Sequence, residues 1–303
     1  MLYKSAVTAG LIALAIQIFA VGILAPRLPR EVCPPGFQKF ETFSLPAAKA
    51  FHLVNTDGTV RVSVGEGDTI EVTADARAYT PGADQNPMAG QYLESLFKVE
   101  QTEETVTLTT EPLQRPDELD VRVDYVVMVP RGTDLALTVE NGNVWVAGGC
   151  NGVYVEGNNS DVEVQQASGP VSVKTTNGRI RVLDSAGETT LETVNGNIHA
   201  GMRAGTLQAS TITGAIITRV LSPEVASCDL TSLNGGITLV MSEGCSAEVS
   251  AATNRGNVRL DAGLSVSAGI LKRRTVLGVI GDGATKLSMN SMNGDIVLQR
   301  STT

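Results

Sequence analysis

Aromatic residues are scarce in this chain of 303 residues, at 4%, with one Trp. A core with so few rings is thin and must be filled by Val, Ile, Leu and Ala. Histidine occurs twice, as His52 and His199, far apart in the chain. Zinc sites gather His and Cys at close spacing, so this pattern argues against one. The four cysteines, Cys33, Cys150, Cys228 and Cys245, include no Cys-x-x-Cys pair. An even count permits two disulfides in an oxidising compartment, and four buried free thiols is the equal alternative. Long runs of like charge are absent and the net charge is −9. That argues against a nucleic-acid partner, because a phosphate-binding face needs concentrated Lys and Arg.

One long apolar run is present. Ala6 to Ala25 is interrupted only by Thr8 and Gln17. Its ~20 residues match a ~30 Å hydrocarbon layer at ~1.5 Å per residue. Lys4 precedes the run, and Arg27 and Arg30 follow it beside Glu31, so flanking charge orients it only weakly. A cleaved signal peptide is the rival reading. Pro26 after Ala25, and Ile18 two positions before Ala20, make poor cleavage sites. The expectation is a transmembrane helix in residues 1–25, with the membrane as partner of residues 6–25. The bulk of the chain then lies outside the cytoplasm, in the periplasm or at the cell surface. Pro26, Pro29, Pro34, Pro35 and Pro46 make 26–50 an extended linker.

Residues 51–130 read as an antiparallel β-cap. His52 to Ala74 alternates, with Val60, Val62 and Val64 on one face. A loop follows over Tyr79 to Gln91, with a weak helix at Tyr92 to Phe97. Val99 to Thr110 and Leu119 to Val129 are further strands.

From Asn141 a repeat takes over. Val144, Val162, Ile180, Ile198 and Ile216 fall 18 residues apart, and Ile237 and Val258 continue at 21. A second strand sits half a period away, at Val153, Val171, Thr189 and Leu207. Asn-Gly turns recur at Asn141-Gly142, Asn177-Gly178, Asn195-Gly196, Asn234-Gly235 and Asn293-Gly294. A second set of turns uses Gly152, Gly169, Gly187 and Gly205. A single coil of this length cannot bury its apolar side, whereas stacked coils bury a continuous column. Glycine supplies positive φ at the corners, and aligned Asn can stack as an amide ladder.

The expected fold is therefore all-β: a β-solenoid of stacked 18- to 21-residue coils over 131–300, behind the cap. An antiparallel meander joined by Asn-Gly hairpins is the alternative. At ~4.8 Å per coil the stack would run roughly 40 Å. Residues 264–284 break the pattern. Ile296 to Leu298 reads as an uncapped last coil open to self-association. Cys228 and Cys245, about one coil apart, are a candidate disulfide pair.

The stretch Val123-Asp124-Tyr125-Val126-Val127-Met128-Val129-Pro130-Arg131-Gly132 precedes Val139-Glu140-Asn141-Gly142-Asn143-Val144. Repeats such as Thr193-Val194-Asn195-Gly196-Asn197-Ile198 follow. Over about residues 50 to 300 the chain resembles the bacterial putative-adhesin family of β-strand-repeat domains. The resemblance implies a β-solenoid at a cell envelope and carries no catalytic residues with it.

Candidate chemistry is thin. Asp161, Glu163, Arg179 and Arg181 share neighbouring coils and would serve a polysaccharide-cleaving solenoid, but also a solvated ionic face. Asp57, Asp161 and Asp295 are too sparse for a calcium β-roll, and Thr211 with Thr213 alone makes no ice-binding rank. Asn158-Asn159-Ser160 is a glycosylation sequon. Trp145 sits beside core positions, either as an exposed contact residue or, the favoured reading, covered against the cap. No catalytic residue, metal or cofactor is assigned. The expected role is non-catalytic binding of an envelope protein or cell-wall polymer, against two alternatives: a carbohydrate-active enzyme and a self-assembling scaffold.

Overall fold

The computed structural model describes residues 37–79, 87–110, 120–261 and 264–301. The apolar run 6–25 lies outside them. Among the described residues no helix is long and apolar enough to cross a membrane.

Two sheets face each other across a single core. Sheet I has 12 strands and sheet II has 13. Each coil gives one strand to sheet II and then one to sheet I. Coil 1 is Ala50–Asp57 with Val60–Gly65, and coil 2 is Thr105–Thr110 with Asp120–Pro130. Coil 3 is Asp134–Asn141 with Val144–Ala147, coil 4 is Gly152–Asn159 with Val162–Gln165, and coil 5 is Val171–Asn177 with Ile180–Ser185. Coil 6 is Thr189–Asn195 with Ile198–Met202, coil 7 is Gly205–Thr213 with Ile216–Val220, and coil 8 is Val225–Asn234 with Ile237–Met241. Coil 9 is Ala247–Thr253 with Val258–Leu260, and coil 10 is Thr285–Ser291 with Ile296–Arg300.

Neighbouring coils pair in parallel, which rules out the hairpin meander over the repeat. Val144, Val162, Ile180, Ile198, Ile216 and Ile237 stack as one inward column of sheet I. Leu135, Val153, Val171, Thr189 and Leu207 stack opposite them in sheet II. Burying each large aliphatic side chain is worth about 1.5–3 kcal/mol, so the columns supply most of the fold's driving force.

The order in space is not the order in sequence. Coil 1 lies between coils 2 and 3, and coil 10 lies between coils 8 and 9. Ile237 therefore sits beside Ile296, and Val258 beyond it, rather than Val258 following Ile237 as the spacing suggested. Side-chain size accounts for the exchange. Coil 10 brings Leu287, Met289, Ile296 and Leu298, all buried, into a position covered on both sides. The outer coil 9 carries the smaller Val249 and Ala251 and the half-buried Val258 and Leu260.

This exchange overturns the open last coil. Ile296–Arg300 pairs on both sides and presents no free edge. Residues 267–280, where the repeat fails, fold as an antiparallel hairpin, Ser267–Lys272 with Thr275–Ile280, that extends sheet II past coil 9.

The cap is only partly antiparallel. Coils 1 and 2 pair in parallel with the stack, because Phe51, Leu53, Val60 and Val62 continue its columns. The antiparallel strands are Phe37–Pro46, Thr69–Tyr79 and Phe97–Gln101. Phe37–Pro46 falls within the expected linker; its alternate residues Phe37, Phe43 and Leu45 pack on the core, which makes it an edge strand. Helix α1, Pro87–Glu94, begins earlier than expected and covers this end with the buried Ala89 and Leu93.

Candidate functional site

The Asn-Gly turns form three parallel ladders. Outside, Asn159 Nδ2 donates to Asn141 Oδ1 at 2.7 Å, Asn177 to Asn159 at 2.9 Å and Asn195 to Asn177 at 2.9 Å. Thr213 occupies the next rung and breaks the series, which resumes where Asn293 donates to Asn234 at 2.8 Å. Asn159 has no glycine after it, so the turn motif alone missed that rung. In the middle, a Cβ on Gly196 would meet the Gly178 carbonyl oxygen at 1.8 Å, and one on Gly235 the Gly214 oxygen at 1.8 Å. Glycine is needed there for close approach of neighbouring coils more than for its φ. Inside, buried hydroxyls close the ladder: Thr211 Oγ1 donates to Gly196 O at 3.1 Å, and Ser232 Oγ to Gly214 O at 3.0 Å.

These ladders hold the outer face of sheet II in strict register. Thr193 and Asn195 pair with Thr211 and Thr213, and these with Ser232 and Asn234. Val194, Ile212 and Leu233 therefore stand side by side. The Met292 N–H donates to Ser232 O at 3.1 Å and the Asn293 N–H to Leu233 O at 3.0 Å, which sets Met292 next in line. All four point outward, with exposures of 37, 46, 39 and 48%. Single exposed apolar residues are ordinary. Four in register make a continuous ridge roughly 14 Å long at ~4.8 Å per coil. In coils 3 to 5 the same position holds Glu140, Asn158 and Thr176. The ladder amides border the ridge on one side, and Glu192, Ser210, Thr231 and Asn290 on the other. Its sequence signal is an inverted alternation just before the turn: Thr193-Val194, Thr211-Ile212, Ser232-Leu233 and Ser291-Met292, with the hydroxyl inside and the apolar group out.

The candidate ionic cluster on sheet I is spent on its own scaffold. Asp161 Oδ1 accepts the Arg179 N–H at 2.7 Å. Glu163 lies 4.0 Å from the Arg181 guanidinium and accepts a hydrogen bond from Gln165. His199 stands beside Arg181, and burial, then the charges of Arg179 and Arg181, push its pKa below the usual value. Trp145 lies half-buried between Arg61 and Glu163 in the same outer row. Among the described residues no group of three His, Cys, Asp or Glu is placed to hold a metal.

Cys228 and Cys245 are free thiols, so the expected pairing is not made; Cys150 is also free, and all three are buried. Cys228 fills a core position between Leu207 and Leu287. Cys245 sits in the turn after coil 8, its Sγ donating to Val220 O at 3.9 Å. The spacing misled because Cys228 lies mid-strand at the register of Leu287 and Val249, whereas Cys245 lies in a turn four residues ahead of Val249. Burial pushes the Cys228 thiol up to about 12 and Cys150 up to about 11.

The Toastrack DUF4097 profile matches residues 55–299. The chain belongs to the Toastrack family. In fold, a crystal structure of a putative adhesin from Bacteroides fragilis is similar, with a TM-score of 0.52 at 12% identity over 88% of this chain and 99% of that one. A putative adhesin from Parabacteroides merdae superposes with a TM-score of 0.48 at 10% identity, over 88% and 97% of the two chains. At 12% identity the likeness to the Bacteroides fragilis protein shows the fold alone. Among curated proteins none matches the sequence. This Toastrack chain departs from a plain parallel stack at both ends, where coils 1 and 10 are tucked inward.

Proposed function

We propose that this Toastrack protein is a membrane-tethered, non-catalytic binding protein of the bacterial envelope. Residues 6–25 are the anchor, and the partner, an envelope protein or cell-wall polymer, docks on the outer face of sheet II. The observation that carries the reading is the ridge Val194–Ile212–Leu233–Met292. It is apolar, held rigidly by the ladders, and rimmed by amides, hydroxyls and the Glu192 carboxylate, which is the composition of a small interaction patch. The adhesin-like neighbours agree with a role in surface or protein interaction.

The test uses the full-length protein in mild detergent, incubated with isolated envelope protein and cell-wall fractions. Retention should drop sharply for Ile212→Asp with Leu233→Asp, and stay unchanged for Ser172→Asp on the same face away from the ridge. Equal retention of all three proteins would remove the ridge from the reading. Protease protection on intact membranes tests the tether: digestion of the β-domain from the cytoplasmic side would overturn the extracytoplasmic placement.

A further inference from the structure

The two ends of sheet II are edge strands, each paired on one side only. At one end is Phe97–Gln101, where Lys98 to Gln101 are all exposed; at the other is Ser267–Lys272. Phe97–Gln101 runs against the coils, being antiparallel to coil 2. Ser267–Lys272 is antiparallel to Thr275–Ile280, itself antiparallel to coil 9, so it runs with the coils. A second copy placed beyond the hairpin in the same orientation brings these two edges together as an antiparallel pair. Their lengths match, at 5 and 6 residues.

Each edge also leaves an inward-facing apolar side chain uncovered. Val99 pairs with the buried Leu108 and shares its face, yet is 37% exposed. Leu271 pairs with the buried Val276 and is 61% exposed. Both point toward the core layer at places where the core has run out.

Charge is divided between the same two ends. The described residues of 37–130 hold twelve carboxylates against six Lys and Arg, whereas residues 245–284 hold five Lys and Arg against three carboxylates. Pairing the edges antiparallel sets Lys272, Arg273 and Arg274 at the hairpin tip beside the start of Phe97–Gln101. There Glu94, ion-paired with Lys39 at 3.4 Å, keeps 76% of its side chain exposed, and Lys98 falls opposite Lys272.

We propose that the protein binds a second copy of itself head to tail, Ser267–Lys272 of one copy adding to Phe97–Gln101 of the next. The contact unites Val99 with Leu271 across the junction and continues sheet II. It is heterologous and does not close on itself, so it propagates into filaments. The rival role of the Lys-Arg-Arg tip is to guard an open edge against pairing.

Cysteine pairs on the full-length protein in mild detergent, carrying Cys33→Ser, decide between them. A mixture of the Val99→Cys and Leu271→Cys proteins should form a disulfide dimer on mild oxidation. Either variant alone should form no disulfide-linked dimer, and the doubly substituted chain should give a ladder of disulfide-linked oligomers. Sedimentation of the unsubstituted protein should show species that grow with concentration and shrink with salt, as screening weakens the end-to-end attraction. No mixed dimer from variants that unfold at the parent temperature would overturn the proposal. So would a dimer of Val99→Cys with itself, or a monomer at every concentration.

Discussion

The Asn177 side chain donates to Asn159 Oδ1 at 2.9 Å and accepts from Asn195 Nδ2 at 2.9 Å. It is thus a donor and an acceptor within one row. Asp at this position keeps the acceptor and loses the donor, and sets a carboxylate against the Asn159 oxygen. Asn177→Asp should destabilise the domain by about 0.5–1.5 kcal/mol, the net worth of a hydrogen bond in an exposed setting. Asn158→Asp, on the outer face one residue before the ladder, should leave the unfolding midpoint in place. Urea titrations of the three proteins compare them directly, and equal midpoints would mean that the ladder adds no stability.

Two glycines separate close approach from backbone strain. Gly196 leaves no room for a Cβ against the Gly178 oxygen, whereas Gly132 has φ of 81° and nothing within 4 Å of the added atom. Gly132→Ala should cost about 1–2 kcal/mol, the strain of a left-handed residue with a side chain. Gly196→Ala must push neighbouring coils apart and should cost about 3 kcal/mol or more. Thermal unfolding of the two variants should rank them in that order; the reverse order would mean that the turn relaxes without strain.

Much of this was legible in the sequence, for one reason. A coil stacked on a copy of itself turns a one-dimensional period into a spatial column. Val144, Val162 and Ile180 therefore fell into place from their spacing, as did the Asn195-Gly196 corner. The period carries no information about which coil sits outermost. Coil 10 returns between coils 8 and 9 through contacts of Ile296 with Ile237 and Val258, far apart in the chain. The Cys228 and Cys245 pairing failed for another reason: Val249 is the coil 9 equivalent of Cys228, and Cys245 lies in the turn ahead of that strand. The ridge escaped because apolar residues in an alternating strand are read as inward, and Ile212 and Leu233 take the opposite phase to their own strands.

His199 ties stability to pH. Burial, then Arg179 and Arg181, lower its pKa from 6.5. The unfolded chain therefore binds the proton at higher pH than the folded one does. The sign follows: stability falls as pH drops through about 6.5 toward the folded-state value, and this contribution vanishes above about 6.5. Proton NMR of His199 should give a midpoint below 6.5, and Arg181→Ala should raise it part of the way, since burial remains. An unmoved midpoint would leave burial and Arg179 as the causes.

Thr218 stacks between Ala200 and Leu239 on the inward face of sheet I, and it is fully buried. Among the described residues its Oγ1 has no hydrogen-bond partner. The inward hydroxyls of sheet II differ, since Thr211 and Ser232 donate to turn carbonyls. A buried hydroxyl left unpaired costs about 1–3 kcal/mol of desolvation. Valine fills nearly the same volume, keeps the β-branch that suits a strand, and removes the stranded oxygen. Thr218→Val should therefore stabilise the domain by about 1 kcal/mol or more, whereas Thr211→Val should destabilise it by leaving the Gly196 carbonyl without its donor. Opposite shifts in the urea midpoint are expected from two chemically identical substitutions. If Thr218→Val also lowered the midpoint, the hydroxyl would have to be making a hydrogen bond in solution, most simply to a buried water.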